Sequence, residues 1–206
     1  QRAEADAALS LAARLNHQFL ALELAAACVR RTTARFSAYL EDLLALLPTS
    51  GDHQFTGQAL AAVVRLSLTR LETVSPEAWQ ALQVLALAAP LPAPMSLFAS
   101  LDDIPGAGAT HVPETLEPLV GFSLVQPLAS RGQVVPRPAV SDAILAGFDD
   151  SRREQAACRL ISLLNRALRD QGEGAAGPAL SSLALAACGL ARDLALVSRD
   201  SARLLL

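Results

Sequence analysis

Apolar residues recur with the period of an α-helix over most of the chain. In segment 58–71, "QALAAVVRLSLTRL", an apolar stripe includes one polar residue, Ser67, while Arg65 and Arg70 fall outside it. The stripe consists of Leu60, Val63 or Val64, Ser67, Leu68 and Leu71. Similar patterns predict helices over residues 4–15, 19–31, 35–48 and 151–170, and one or two more from Pro178 onwards.

The segment 75–94, "SPEAWQALQVLALAAPLPAP", predicts a more apolar helix. Ser75 can cap its start, and Pro76 occupies a first-turn position that tolerates a missing N–H. Apolar residues occupy both sides of this helix, and the single tryptophan, Trp79, lies on one of them. We therefore expect a helix that is covered on most sides, with Trp79 buried.

Short elements are predicted between residues 95 and 150. "MSLFASLDD" and "PETLEPLVGF" favour two short helices, and "PAVSDAILAGF" favours another. "SLVQPL" and "QVVPR" are typical of two strands of a hairpin, with Gly132 available for the turn. Helices followed by a hairpin are the element order of a winged helix, although here a further helix follows the hairpin.

Composition points to a mainly α protein. The chain has 206 residues, of which 52% are hydrophobic and only 4% aromatic. All 17 basic residues are arginine, so a P-loop lysine and a Schiff-base lysine are both excluded within this chain. The net charge of −3 argues against a wide nucleic-acid-binding surface.

Three cysteines, Cys28, Cys158 and Cys188, are too far apart in the sequence for a metal-binding motif. Because each lies in an alanine-rich helical context, we expect reduced thiols that serve as small core residues, in a reducing cytoplasm. The longest uncharged run is interrupted by proline and glutamine, so no membrane-spanning helix is predicted.

No set of residues suggests catalysis or metal binding. His17, His53 and His111 lie in separate contexts and are expected to be surface or loop residues. Asp102 and Asp103 are neighbours before a Pro-Gly loop, where a solvated turn is the simpler interpretation. We therefore expect no catalytic residue and no metal ligand in this chain.

Three segments resemble the carboxy-terminal half of bacterial NB-ARC proteins, which are nucleotide-dependent switches of the STAND class. They are "LAARLNHQFLALELAAACVRR" (11–31), "LAAVVRLSLTRLETVSPEAWQALQVLALAAP" (60–90) and "LEPLVGFSLVQPL" (116–128). The resemblance implies a helical ARC-like subdomain over 1–72 and a winged-helix subdomain over 73–150. It also implies a carboxy-terminal helical region over 151–206, as the start of TPR-like repeats.

Both nucleotide contacts of this half of the family are altered here. Phe19 stands where the family has a proline that touches adenine, and His17 and Gln18 replace the preceding Gly-Leu. Arg137 or Pro136 stands where the family has a histidine that reaches the diphosphate. An arginine there can still pair with an anion. No cofactor is expected in this chain, whereas the resemblance implies ATP or ADP in a longer parent protein.

The resemblance implies a non-catalytic regulatory and protein-interaction module in the cytoplasm. Its partners would be another protein or domains upstream and downstream in the same polypeptide, since a chain starting without methionine suggests a fragment. The alternative is a DNA-binding winged helix, but "VPETLEPLVG" carries two glutamates and no arginine. An enzyme is the least favoured class.

The last helices suggest a partner-binding face. A fragment that ends inside a helical repeat exposes an apolar surface, which favours self-association or the docking of further repeats. The candidate residues for this face are Leu183, Ala187, Leu190, Leu204, Leu205 and Leu206. The alternative is that these helices fold back on the winged helix and are covered within the monomer.

Overall fold

The computed structural model describes residues 2–47, 55–99, 113–128, 132–171 and 177–194. These residues form ten helices and three short strands, so the expectation of a mainly α chain is confirmed. Two compact units are present. The first unit comprises Gln1–Pro76 and Gly121–Leu124, and the second comprises Glu77–Val120 and Val125–Leu206.

Four helices build the first unit, close to the positions that the apolar periodicity predicts. They are α1 (Arg2–Arg14), α2 (Phe19–Thr32), α3 (Phe36–Leu46) and α4 (Phe55–Val74). Helix α2 packs against α4, and α3 packs against both α1 and α4. The predicted stripe of α4 is buried at Val63, Val64, Ser67 and Leu71.

A carboxylate on α1 caps the start of α3. The backbone N–H of Phe36 and the hydroxyl of Ser37 donate hydrogen bonds of 2.7 Å to the two carboxylate oxygens of Glu4. The bond from Phe36 satisfies one of the backbone N–H groups that the first turn of a helix leaves without an intrahelical partner. The hydrogen bond from Ser37, together with those from the backbone, lowers the pKa of Glu4.

The second unit begins with α5 (Pro76–Ala88) and contains three further short helices before the two long ones. The short helices are α6 (Ser96–Ala99), α7 (Glu117–Gly121) and α8 (Pro138–Ala146). The long helices are α9 (Asp150–Gln171) and α10 (Pro178–Asp193). Helix α9 packs against α6 and α10, and α10 also packs against the sheet.

A three-stranded antiparallel sheet lies in the second unit. Strands β2 (Val125–Leu128) and β3 (Gln133–Pro136) form the predicted hairpin, and Gly132 has the positive φ of 59° expected of a turn glycine. Strand β1 (Ala93–Pro94) pairs with β3, which gives the order β1-β3-β2. The sequence did not predict β1, because two residues that include a proline give no alternation.

Helix α5 is covered on more than half of its circumference, as predicted. Seven of its residues are buried: Ala78, Ala81, Leu82, Val84, Leu85, Ala86 and Ala88. The prediction that Trp79 is buried is wrong, because its side chain is only half-buried. At 100° per residue, position 79 falls just beyond Ala86, at the edge of the buried arc.

The carboxy-terminal helices belong to the same compact unit as the sheet, without a division at residue 150. Leu183 and Ala187 are fully buried on α10, which packs on α9 and β1. The expectation that these two residues form an exposed partner-binding face is therefore corrected. Leu190 is half-buried, and Leu204, Leu205 and Leu206 lie outside the described residues.

Candidate functional site

A pocket of about 490 Å³ opens between α5 and α9 in the second unit. Helix α5 contributes one wall, with Glu77, Gln80, Ala81 and Val84. Helix α9 contributes the other wall, with Cys158, Arg159, Ser162 and Leu163. Thr115 completes the lining, and the volume falls in the range typical of small-molecule sites.

The pocket combines an apolar surface with two charged side chains. Ala81 and Val84 are buried and Leu163 is half-buried, whereas Glu77 is exposed and Arg159 is half-buried. Glu77 and Arg159 both line the pocket, but no ion pair joins them. Among the described residues, none pairs with Arg159 through a hydrogen bond or an ion pair. The pocket therefore contains an arginine that forms no ion pair with a described carboxylate.

The three cysteines differ in their surroundings. All are free thiols, but only Cys28 is buried, while Cys158 is exposed and Cys188 is half-buried. The expectation of a core residue is thus correct for Cys28 and wrong for Cys158. The reason is that Cys158 lies on the side of α9 that faces the pocket, while its neighbour Ala157 faces the core.

A buried polar cluster lies among α2, α3 and α4 of the first unit. It consists of the Cys28 thiol, the Tyr39 hydroxyl and the Ser67 hydroxyl, and an ion pair between Arg70 and Asp42 lies close enough to act on it electrostatically. Burial raises the pKa of Cys28 to about 11 and also raises the pKa of Tyr39. Both thiol and phenol therefore stay neutral near pH 7, so the cluster supplies no activated nucleophile.

Two hydroxyls of this cluster have no hydrogen-bond partner among the described residues. They are Tyr39 Oη and Ser67 Oγ, on side chains that are 2% and 0% exposed. The Ser67 hydroxyl lies close to the Cys28 thiol, but without the geometry of a hydrogen bond. A buried hydroxyl that loses its hydrogen bonds to water destabilises the folded state.

The two residues predicted from nucleotide contacts lie in different units. Phe19 is the first residue of α2 and is 81% exposed. Arg137 follows β3 as the N-cap residue of α8, is half-buried, and its carbonyl accepts hydrogen bonds from the N–H groups of Val140 and Ser141. The residues thus stand at two helix starts, where backbone N–H groups favour anions.

The remaining candidate residues form no site among the described residues. His17 is exposed, as expected, and it adopts a left-handed conformation with φ of 53°. His53, His111, Asp102 and Asp103 lie outside the described residues. Within the described part of the chain, no group of histidine, cysteine and acidic residues could hold a metal ion.

Sequence reasoning missed the pocket altogether. Its two walls are about eighty residues apart in the chain, and neither wall has a recognisable motif. One signal was present: Gln80 and Glu77 interrupt an otherwise apolar helix on one side.

No described helix is both long and apolar enough to cross a bilayer.

Comparison of the chain with protein-family models, with curated proteins and with solved structures found no match in any of the three. Functional assignment therefore depends on the residues and geometry described above.

Proposed function

We propose that the chain is the regulatory and protein-interaction half of a STAND-type switch, without catalytic activity of its own. The first unit would be the ARC-like helical subdomain, and the second would contain the winged helix together with the first helices of a repeat region. Its partners would be protein domains in the same or another polypeptide in the cytoplasm.

One observation carries this proposal: the order of elements in the second unit. Helix α5, strand β1, helices α6 and α7, and the β2–β3 hairpin follow one another, and β1 pairs with β3. This is the element order of a winged helix, in which a helix, a short strand and two helices precede a hairpin that pairs with the first strand. The pairing of β1 supports the proposal independently, since the sequence pattern did not predict that strand.

The link between α1 and α2 offers a second line of support. The resemblance aligns His17 with a family glycine, and His17 has a positive φ of 53° that glycine adopts without strain. If the family needs a left-handed conformation at this position, that need explains its glycine. Histidine is among the residues that tolerate a positive φ, so His17 can replace the glycine without a change in the backbone.

Charge and helix length favour protein interaction over DNA binding. In a winged helix that reads DNA, the second helix before the hairpin enters the major groove and carries basic residues. Here that helix is α7, which has five residues. The segment 113–128 that contains it includes exposed Glu114 and Glu117 and no arginine. A phosphate backbone would be repelled by these carboxylates.

Nucleotide would bind mainly to a P-loop-bearing half of a parent protein, with this chain contributing at the edge of that site. The exposed ring of Phe19 can stack on a base, and the Arg137 guanidinium can pair with a phosphate. Neither contact supplies the backbone cradle and lysine that bind the β- and γ-phosphates. The isolated chain should therefore have little affinity for ATP.

Binding measurements on the 206-residue chain test the proposal. We expect no saturable binding of ATP or ADP by calorimetry up to millimolar concentrations, and no binding of duplex DNA at physiological salt by fluorescence anisotropy. Submicromolar affinity for DNA that survives physiological salt would favour the transcriptional regulator instead. Micromolar or tighter affinity for ATP would contradict the assignment to a half that lacks the phosphate site.

A further inference from the structure

We propose that the pocket between α5 and α9 binds a small apolar molecule that carries an anionic group, such as an aromatic or aliphatic acid. The apolar part of the ligand would lie against Ala81, Val84 and Leu163, and its anion would pair with Arg159. This site does not depend on the proposed switch function, because it follows from the lining residues and their charges alone.

The apolar surface of the pocket explains the preference for a ligand with an apolar body. Ala81, Val84 and Leu163 place aliphatic side chains in the lining, and half-buried Leu163 still has apolar surface exposed to water. A ligand that covers this exposed apolar surface removes it from water, at about 25 cal/mol for each Å². At about 490 Å³ the pocket accommodates a drug-sized molecule.

The charge balance of the pocket explains the preference for an anion. Arg159 is half-buried, lines the pocket and pairs with no described residue. Among the described residues of the lining, Glu77 is the only other charged one. It lies in the first turn of α5, where the partial positive charge of the helix end already stabilises a carboxylate. The arginine therefore retains its capacity for a charge-assisted, bidentate contact.

The pocket also contains an internal reporter. Cys158 is an exposed thiol in its lining, whereas Cys28 is fully buried in the first unit. A ligand that occupies the pocket should slow alkylation of Cys158 by a maleimide. Peptide mapping by mass spectrometry distinguishes this cysteine from the half-buried Cys188.

A fluorescence titration with anilinonaphthalene sulfonate tests the site, because this probe joins an apolar ring system to a sulfonate. We expect saturable binding of one probe molecule per chain, with protection of Cys158. Arg159→Gln should weaken binding about tenfold, the loss typical of one charge-assisted contact. Glu77→Gln should tighten binding severalfold, because it removes a like charge from the pocket.

Two controls separate this site from general dye binding. Arg153→Gln removes a half-buried arginine from the same helix outside the pocket lining, and it should leave the affinity unchanged. Phenylnaphthylamine, which has the rings without the sulfonate, should bind wild type and Arg159→Gln equally. Any one of three results would overturn the proposal. The sulfonate probe could bind wild type and Arg159→Gln with equal affinity, or Arg153→Gln could lose as much affinity as Arg159→Gln. The third such result is a bound probe that does not protect Cys158 from alkylation. Circular dichroism confirms that each variant is folded.

Discussion

Removal of a single oxygen from the buried polar cluster should make the protein more stable. Tyr39 is the only tyrosine, its side chain is 2% exposed, and its hydroxyl has no hydrogen-bond partner among the described residues. Tyr39→Phe keeps the ring and its packing and removes the hydroxyl alone. Most large effects of core substitutions destabilise, so an increase in stability is a discriminating outcome.

The expected magnitude follows from two opposing contributions. An unsatisfied buried hydroxyl costs about 1–3 kcal/mol, and this cost disappears in Tyr39→Phe. The void left by the oxygen costs roughly 0.3 kcal/mol, from the dependence of stability on cavity volume. The free energy of unfolding should therefore rise by about 0.7–2.7 kcal/mol. For a chain of this size, each kcal/mol raises Tm by about 2–4 °C.

Urea unfolding followed by circular dichroism measures this change. Trp79 lies in the second unit, so its fluorescence identifies whether the transition of that unit has also moved. Tyr39→Leu is a control, because it removes the ring as well and should destabilise the protein through lost packing. A decrease of about 1 kcal/mol or more in Tyr39→Phe would refute the reasoning, since it would mean that the hydroxyl makes a stabilising hydrogen bond.

Three further predictions concern the caps, the apolar helix and the carboxy-terminal helices. Glu4→Gln should lower Tm at pH 7. Because folding lowers the pKa of Glu4, its carboxylate stabilises the folded state above the unfolded pKa, and this stabilisation is lost as the pH falls through the folded pKa. The Tm values of wild type and variant should therefore converge in acid. Trp79→Ala should cost about 2 kcal/mol, roughly half the value for a fully buried tryptophan, and iodide should quench Trp79 partially; complete or absent quenching would contradict half-burial. Truncation after Gln171 removes α10, which packs on α9 and β1, so it should lower Tm and expose an apolar surface through which the chains associate. A truncated chain that is monomeric by light scattering and has an unchanged Tm by calorimetry would contradict this packing.

Periodicity predicted the long helices well because their stripes are buried within single units. The stripe of α4 even identified Ser67, a polar residue at a core position, and the structure buries that residue in the polar cluster. The hairpin was also predictable, because two short strand-like segments, "SLVQPL" and "QVVPR", lie on either side of a turn that contains Gly132. In each case the sequence pattern lies within one short segment, and the apolar face that this pattern predicts is the face that packs in the folded protein.

The pocket and strand β1 were not predictable because each depends on residues distant in the chain. Ala93 and Pro94 become a strand only through pairing with β3. The pocket is lined by residues of both α5 and α9, and no pattern within either helix specifies how the two helices lie relative to each other. For the same reason, the sequence did not show whether Leu183 and Ala187 face solvent or α9.

The central claim is that this chain is the regulatory half of a nucleotide-dependent switch, and the reading frame that precedes residue 1 tests it most directly. Sequencing of that frame should find a Gly-x-x-x-x-Gly-Lys-Ser/Thr segment between a strand and a helix, followed by an acidic strand end. A continuous upstream frame without such a segment, or a start codon directly before residue 1, would contradict the account.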